Sequence, residues 1–231
     1  GTNEYINAWA DQLIEFADDR IAGFDNPVWQ EYPKYEKYDG LRMDFQRETQ
    51  NNLSLWGMAY QITGQQKYVD YAWKTFQLIC DEDIFPDWNP GHHLDTCEAM
   101  TAVSIGYDWL YNAFTPEQRK FIEEGMYRNG INQSYPAFLS TATAMGGAYT
   151  SNNNHGVIDN GAAIVTSLAF MDVYPKECEW MMSAALELME NSIYQWSTGM
   201  WFEGPNYWEL TMMHTVKFIS AMQTALETDL G

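Results

Sequence analysis

Large apolar side chains recur along most of this chain with the spacing of one helical face. Tyr68, Tyr71, Phe76 and Ile79, with the smaller Ala72 and Thr75 between them, follow the i, i+3, i+4, i+7 rule of an amphipathic helix. Met182, Ala185, Met189, Ile193 and Trp196 repeat the pattern further on. Thr115-Pro116-Glu117-Gln118 reads as a helix start, with Thr115 as cap, Pro116 in the first turn and Gln118 completing a capping box. Helices are expected near 3–20, 43–62, 66–81, 94–112, 116–128, 155–172, 177–196 and 206–228. Breaks are expected at Gly23 to Pro27, Thr63-Gly64, Pro86 to Gly91, Gly146-Gly147 and Thr198-Gly199. No alternating strand pattern of useful length occurs. The expected class is all-α, with successive helices packed as antiparallel pairs in one domain over 1–231. A toroid, a barrel and a superhelical stack all satisfy that pattern.

Composition narrows the partners. The 231 residues carry 12 Lys and Arg against 32 Asp and Glu, a net charge of −20. Nucleic acid is excluded as an expected partner, because phosphate binding needs clustered basic residues. No apolar run is long enough to span a bilayer, so no membrane partner is expected. No signal peptide opens the chain, and Gly1-Thr2-Asn3 reads as a trimmed end. Aromatic residues make up 16% of the chain, with ten tryptophans; most are needed for the core, and the same rings suit stacking on sugars. Cys80, Cys97 and Cys178 each sit in an apolar helical pattern, are expected to be buried free thiols, and lack metal-type spacing.

Two stretches interrupt the amphipathic pattern: Ser151-Asn152-Asn153-Asn154-His155-Gly156 and Trp201-Phe202-Glu203-Gly204-Pro205-Asn206-Tyr207-Trp208. One asparagine of the first can cap a helix. Asn152, Asn153, Asn154 and His155 together, at an expected helix start, also suit a carboxylate ligand held by amide donors with an imidazole beside it. In the second, Trp201, Phe202 and Trp208 can be core. Tyr207 opens the last helix with His214 seven residues on, nearly the same face, and can move a proton if its surroundings permit. A third cluster runs from Trp88 to Asp95. Adjacent His92 and His93 diverge on a helix and have no zinc-motif partner, so the expectation is a loop with Trp88 and His93 facing a cleft. No metal and no cofactor are expected.

The run His93-Leu94-Asp95-Thr96-Cys97-Glu98 followed by Ala102 to Tyr111 resembles a signature of the heparinase II/III-like polysaccharide lyases, related to alginate lyases. Asn153-Asn154-His155-Gly156, Glu203 to Trp208, and Tyr60 to Gly64 with Lys67-Tyr68 resemble it too, in order, over roughly residues 40–230. The resemblance implies an incomplete (α/α) toroid followed by a β-sandwich domain, this chain corresponding to the helical module, and a periplasmic or secreted bacterial protein. It implies β-elimination on an acidic polysaccharide or oligosaccharide. Asn154 matches the position that binds the uronate carboxylate. His155 matches the base or neutralising neighbour, and Tyr207 the residue that protonates the leaving oxygen. Trp88, His93, Asn153, Glu203, Trp208 and His214 are the accompanying candidates for substrate binding.

Two positions depart from the family pattern. Thr211 stands where some members carry Arg, and Ile158 where some carry Glu. With few basic residues, an unsulfated uronate polymer is the expected substrate. A glycoside hydrolase using Glu203, Asp95 or Glu98, and a glycan-binding domain without catalysis, remain as alternatives.

Overall fold

The computed structural model describes residues 3–24, 43–138 and 144–228. Among these residues every regular element is helical: α1 (Glu4–Phe24), α2 (Met43–Thr63), α3 (Gln66–Ile79), α4 (His93–Leu110), α5 (Pro116–Met126), α6 (Asn132–Ala137), α7 (Ala144–Tyr149), α8 (Asn154–Phe170), α9 (Pro175–Ile193) and α10 (Pro205–Leu226). The expected all-α class holds.

The expected faces are the buried ones. In α3, Tyr68, Ala72, Thr75, Phe76 and Ile79 are buried; in α9, Met182, Ala185 and Met189 are. The capping box at Thr115 forms with both of its hydrogen bonds. Gly64 takes a left-handed φ of 66°, which lets the chain turn sharply from α2 into α3.

Three local expectations change. Helix α1 runs through Gly23 to Phe24, while residues 25–27 of the expected break lie outside the described residues. Gly146 and Gly147 lie inside α7 rather than in a turn. A π-helical segment at Tyr127–Ile131 carries α5 into α6, where a simple helix end was expected. Gly130 sits in that segment against Met126, Met100 and Trp88, a contact that any side chain would crowd.

Helices α4 and α8 form the interior. Fifteen of the 18 residues of α4 and 14 of the 17 of α8 are buried, so neither has a wet face. They pack against each other, α4 also against α2, and α8 also against α9 and α10. The contacts fix directions. Arg47 and Gln50 meet Glu98 while Gly57 lies against Trp109, so α2 and α4 run parallel. Asn154 meets Glu203 while Gly161 lies against Phe218, so α8 and α10 run parallel as well. His92 and His155 share one end, and Ser104 bonds Thr166 at 3.0 Å further along, so α4 and α8 agree too.

The flanking helices run the opposite way. Ala17 accepts from the Trp56 indole while Arg20 pairs with Glu48, making α1 antiparallel to α2. Ser192, at the end of α9, bonds the Ser151 carbonyl just before α8. The consequence for function is geometric: the N-termini of α4, α8 and α10 meet at one end of the molecule. Among the described residues, no helix is long and apolar enough to cross a membrane.

Candidate functional site

The converging helix ends bring both sequence clusters together. Asn153 is the cap of α8: its side-chain oxygen accepts the His155 N–H at 3.0 Å and the Ser151 hydroxyl at 2.6 Å. That frees Asn154, which is buried, for another contact. Its backbone N–H and its Nδ2 each donate to the Glu203 carboxylate at 2.7 Å, and the Trp201 indole donates to the same group at 3.1 Å. A carboxylate therefore sits where the sequence pattern wanted one, at a helix N-terminus with amide donors, but it belongs to the protein. Gly204 makes this possible. Its φ of 95° and ψ of 178° are accessible essentially to glycine alone, and they turn the chain between Glu203 and the Pro205 start of α10.

His155 is partly exposed, with its Nδ1 3.8 Å from Oδ2 of the fully buried Asp159. The pairing with Asp159 holds the imidazole above its ordinary pKa; burial opposes this, and the charges of Asp159 and Glu203 add to it. Ile158, one turn on, is a buried apolar residue, and the carboxylate facing His155 comes from the next residue, Asp159. The His92 ring meets the His155 ring edge-on, with centroids 6.0 Å apart. His92 is anchored in turn by Asp95, whose Oδ1 lies 2.8 Å from Nδ1, and Asp95 also accepts from Asn89 at 2.9 Å. Two imidazoles thus meet at the mouth, each paired with a buried aspartate.

Tyr207 and Trp208 stand on the first turn of α10, each nearly half exposed, a few residues beyond the Glu203 clamp. Near them the chain is apolar and open at Phe202, while Trp201 is buried and packs edge-on against Trp196. Together Asn154, His155, Glu203, Tyr207 and Trp208 surround one end of the helix layer.

Other expected site residues lie elsewhere. Trp88 is fully buried, donates its indole N–H to the Ile79 carbonyl at 2.9 Å, and belongs to the core rather than to a cleft wall. Its ring is large and its loop short, so it fills the space beneath α4. His93 is also interior: it lies 3.2 Å from the Cys97 thiol and 4.7 Å, ring to ring, from Tyr149, and burial lowers its pKa. His214 is buried as well, 3.5 Å from Glu98, although Tyr207 on nearly the same face is open. Beyond its first turn α10 reaches α4 through His214 and Glu98 and α2 through Lys217 and Gln50.

Glu98 is the centre of a second polar group. It accepts from Arg47 at 2.9 Å and Gln50 at 3.1 Å, and Lys217 donates to Gln50. Burial works to raise its pKa, yet His214 and Arg47 outweigh that and hold it at about 2. Thus the three possible hydrolytic acids, Glu203, Asp95 and Glu98, are each committed to protein partners.

The residues missed by sequence reasoning are His92, Asp159, Cys97 and Tyr149. Two of them left a trace: Asp159 lies four residues after His155, and Cys97 four after His93, the spacing of one helix face. The side chains of His93, Cys97 and Asp159, all buried, bring their donor atoms within 4.8 Å of one another. All three cysteines are buried free thiols, as expected. Two cavities of about 750 and 520 Å³ lie further along the helices, sharing Ser54, Trp109 and Lys217, and neither is lined by the residues of the mouth. The chain matches no family model and no curated protein.

Proposed function

We propose that this chain is the helical module of a polysaccharide lyase that cleaves uronate-containing glycans by β-elimination, and that its parallel inner helices belong to an incomplete (α/α) toroid. The observation that carries this reading is the meeting of Asn154, His155 and the Glu203 carboxylate at the convergent N-termini of α8 and α10. Three helix ends facing one mouth favour negative charge there, whatever the net charge of the whole chain. An unsulfated uronate fits that mouth better than a sulfated one, since few basic side chains are present to hold sulfates.

The chemistry follows from the substrate. The proton at C5 of a uronate lies beside a carboxylate, and its removal builds charge on the carboxylate oxygens. Asn154 carries a second Nδ2 hydrogen beyond the one given to Glu203, and in this reading that hydrogen goes to the substrate carboxylate. Glu203 is then a positioning residue that fixes the amide. His155 or Tyr207 takes the C5 proton, the electron pair forms the C4–C5 double bond, and the C4–O bond breaks. Tyr207 delivers a proton to the departing oxygen. The engagement of Glu203, Asp95 and Glu98 by protein donors argues against hydrolysis, which needs two carboxyl groups facing the bond.

The test is the ultraviolet absorbance of the unsaturated uronate product, followed as the chain, and a version extended beyond Gly231, meet alginate, heparan and unsulfated uronate glycans. A rise abolished by Tyr207→Phe supports the lyase. Saturated reducing ends without absorbance would favour hydrolysis, and binding without turnover that survives His155→Ala would favour a non-catalytic glycan-binding domain. A preference for heparin over alginate at physiological salt would sink the unsulfated assignment.

A further inference from the structure

Beneath the mouth, α4 and α8 press three metal-ligating side chains into one dry space. His93 and Cys97 stand one turn apart on the same face of α4, with the ring nitrogen Nε2 3.2 Å from the sulfur. Asp159 reaches in from α8, and the three donor groups lie within 4.8 Å of one another. Asp159 has no exposed surface, and neither of its oxygens has a hydrogen-bond partner; the His155 Nδ1 lies 3.8 Å from its Oδ2. The Nδ1 of His93 is likewise buried without a partner. Such a carboxylate in a dry interior is costly unless a positive charge compensates it.

We propose that His93, Cys97 and Asp159 form a binding site for one zinc-like divalent cation, with the fourth coordination position open towards His155. One nitrogen, one sulfur and one oxygen ligand suit Zn²⁺ and discriminate against Mg²⁺ and Ca²⁺, which require oxygen cages. Donors on one tetrahedral zinc sit roughly 3.3–3.8 Å apart. The observed set therefore needs to close by at most about 1.5 Å, within the reach of one Asp159 rotamer change. The two ligands from α4 are set at chelating spacing by the helix itself, and the α4–α8 contact supplies the third. The site does not depend on the lyase reading: it concerns the interior of the helix layer, and it is tested by binding rather than by turnover.

The experiment is a titration of the chelator-stripped chain with Zn²⁺, alongside a Co²⁺ titration followed by absorption. The expected result is one Zn²⁺ per chain with a Kd below about 1 µM. The Co²⁺ adduct should show a thiolate-to-metal band in the near ultraviolet and the strong visible bands of tetrahedral cobalt. Cys97→Ala should abolish the thiolate band, and Asp159→Asn should weaken binding at least about tenfold, with circular dichroism confirming that each variant is folded. The wild-type cobalt spectrum is decisive even if a variant fails to fold. No tight stoichiometric binding, a cobalt adduct without the thiolate band, or binding unchanged in both folded variants would overturn the site and assign any uptake to the acidic surface.

Discussion

Glu203 and Asn154, 49 positions apart in the chain, are joined by two hydrogen bonds of 2.7 Å that use both carboxylate oxygens and both donor groups of one residue. This clamp ties the start of α10 to the start of α8. Charge-assisted bonds of this kind at a helix N-terminus contribute about 1.5–3 kcal/mol each before losses elsewhere. Glu203→Ala should lower stability by about 2 kcal/mol, read from urea unfolding, and Glu203→Gln by less. If Glu203 positions Asn154 for catalysis, kcat should fall more than KM rises in both variants, and equal losses in the two would show only a weakened fold.

Tyr207 is nearly half exposed, so Tyr207→Phe should leave the melting temperature unchanged. Under the proposed chemistry it should reduce turnover by about 10²–10⁴-fold. His155→Ala should cost a comparable factor. A variant that unfolds at a lower temperature and loses activity in the same proportion would point to a structural role instead.

Gly156 has no room for a side chain. A methyl group there would lie 1.9 Å from the Ser151 carbonyl and 2.4 Å from the Ser192 hydroxyl, both held by the α8–α9 contact. Gly156→Ala should destabilise the protein by at least about 2 kcal/mol, measured by thermal unfolding. A neutral result would mean that the α8 N-terminus moves more freely than its hydrogen bonds imply.

Glu98 of α4 holds Arg47 and Gln50 from α2 and His214 from α10 around one buried carboxylate. Replacing it removes the negative charge and leaves cationic partners uncompensated. Glu98→Gln should cost about 3–5 kcal/mol, visible as a lower urea midpoint. A double variant with Arg47→Met should recover part of that loss, because it removes one of the stranded charges.

Burial pushes the Cys178 thiol up to about 12 from an ordinary value near 9, with Glu177 adding to the shift. Its folded pKa is raised, so its stability contribution is intact below pH 9. That contribution is lost as pH rises from 9 towards 12, where the unfolded thiol ionises and the folded one does not. At pH 10 the loss from this one group is about 1.4 kcal/mol. Cys178→Ala should flatten that limb of the pH–stability curve. Native protein should react with iodoacetamide at Cys80, Cys97 and Cys178 only as fast as it opens; rapid labelling of the folded chain would contradict their burial.

The two interrupting clusters were legible because they break a helical rule that the rest of the chain obeys. Asn154, His155, Glu203 and Tyr207 stood out for that reason, and the structure brings the two clusters to one end. His92 stood out only as half of a diverging histidine pair and Asp159 not at all, because their meaning is relational: His92 acquires its orientation from Asp95, and Asp159 its role from the ring it faces. Trp88 and His93 were expected at a cleft because a loop with Gly and Pro usually runs over a surface. Instead Trp88 fills the interior between the end of α3 and Gly130, and His93 opens α4 facing Cys97 and Tyr149.

The periodic apolar positions by themselves determined that the chain is helical, where most helices begin and end, and which faces of α3 and α9 turn inward, because these follow from 3.6-residue periodicity and local capping. Tertiary structure alone decided that α4 and α8 are enclosed, that α2, α4, α8 and α10 run the same way, and that their ends bring Glu203 to Asn154 and Asp159 to His93 and Cys97. Those meetings join residues more than 45 positions apart. The sequence states only what each helix must bury, and which helix covers it is settled by the packing of all of them at once.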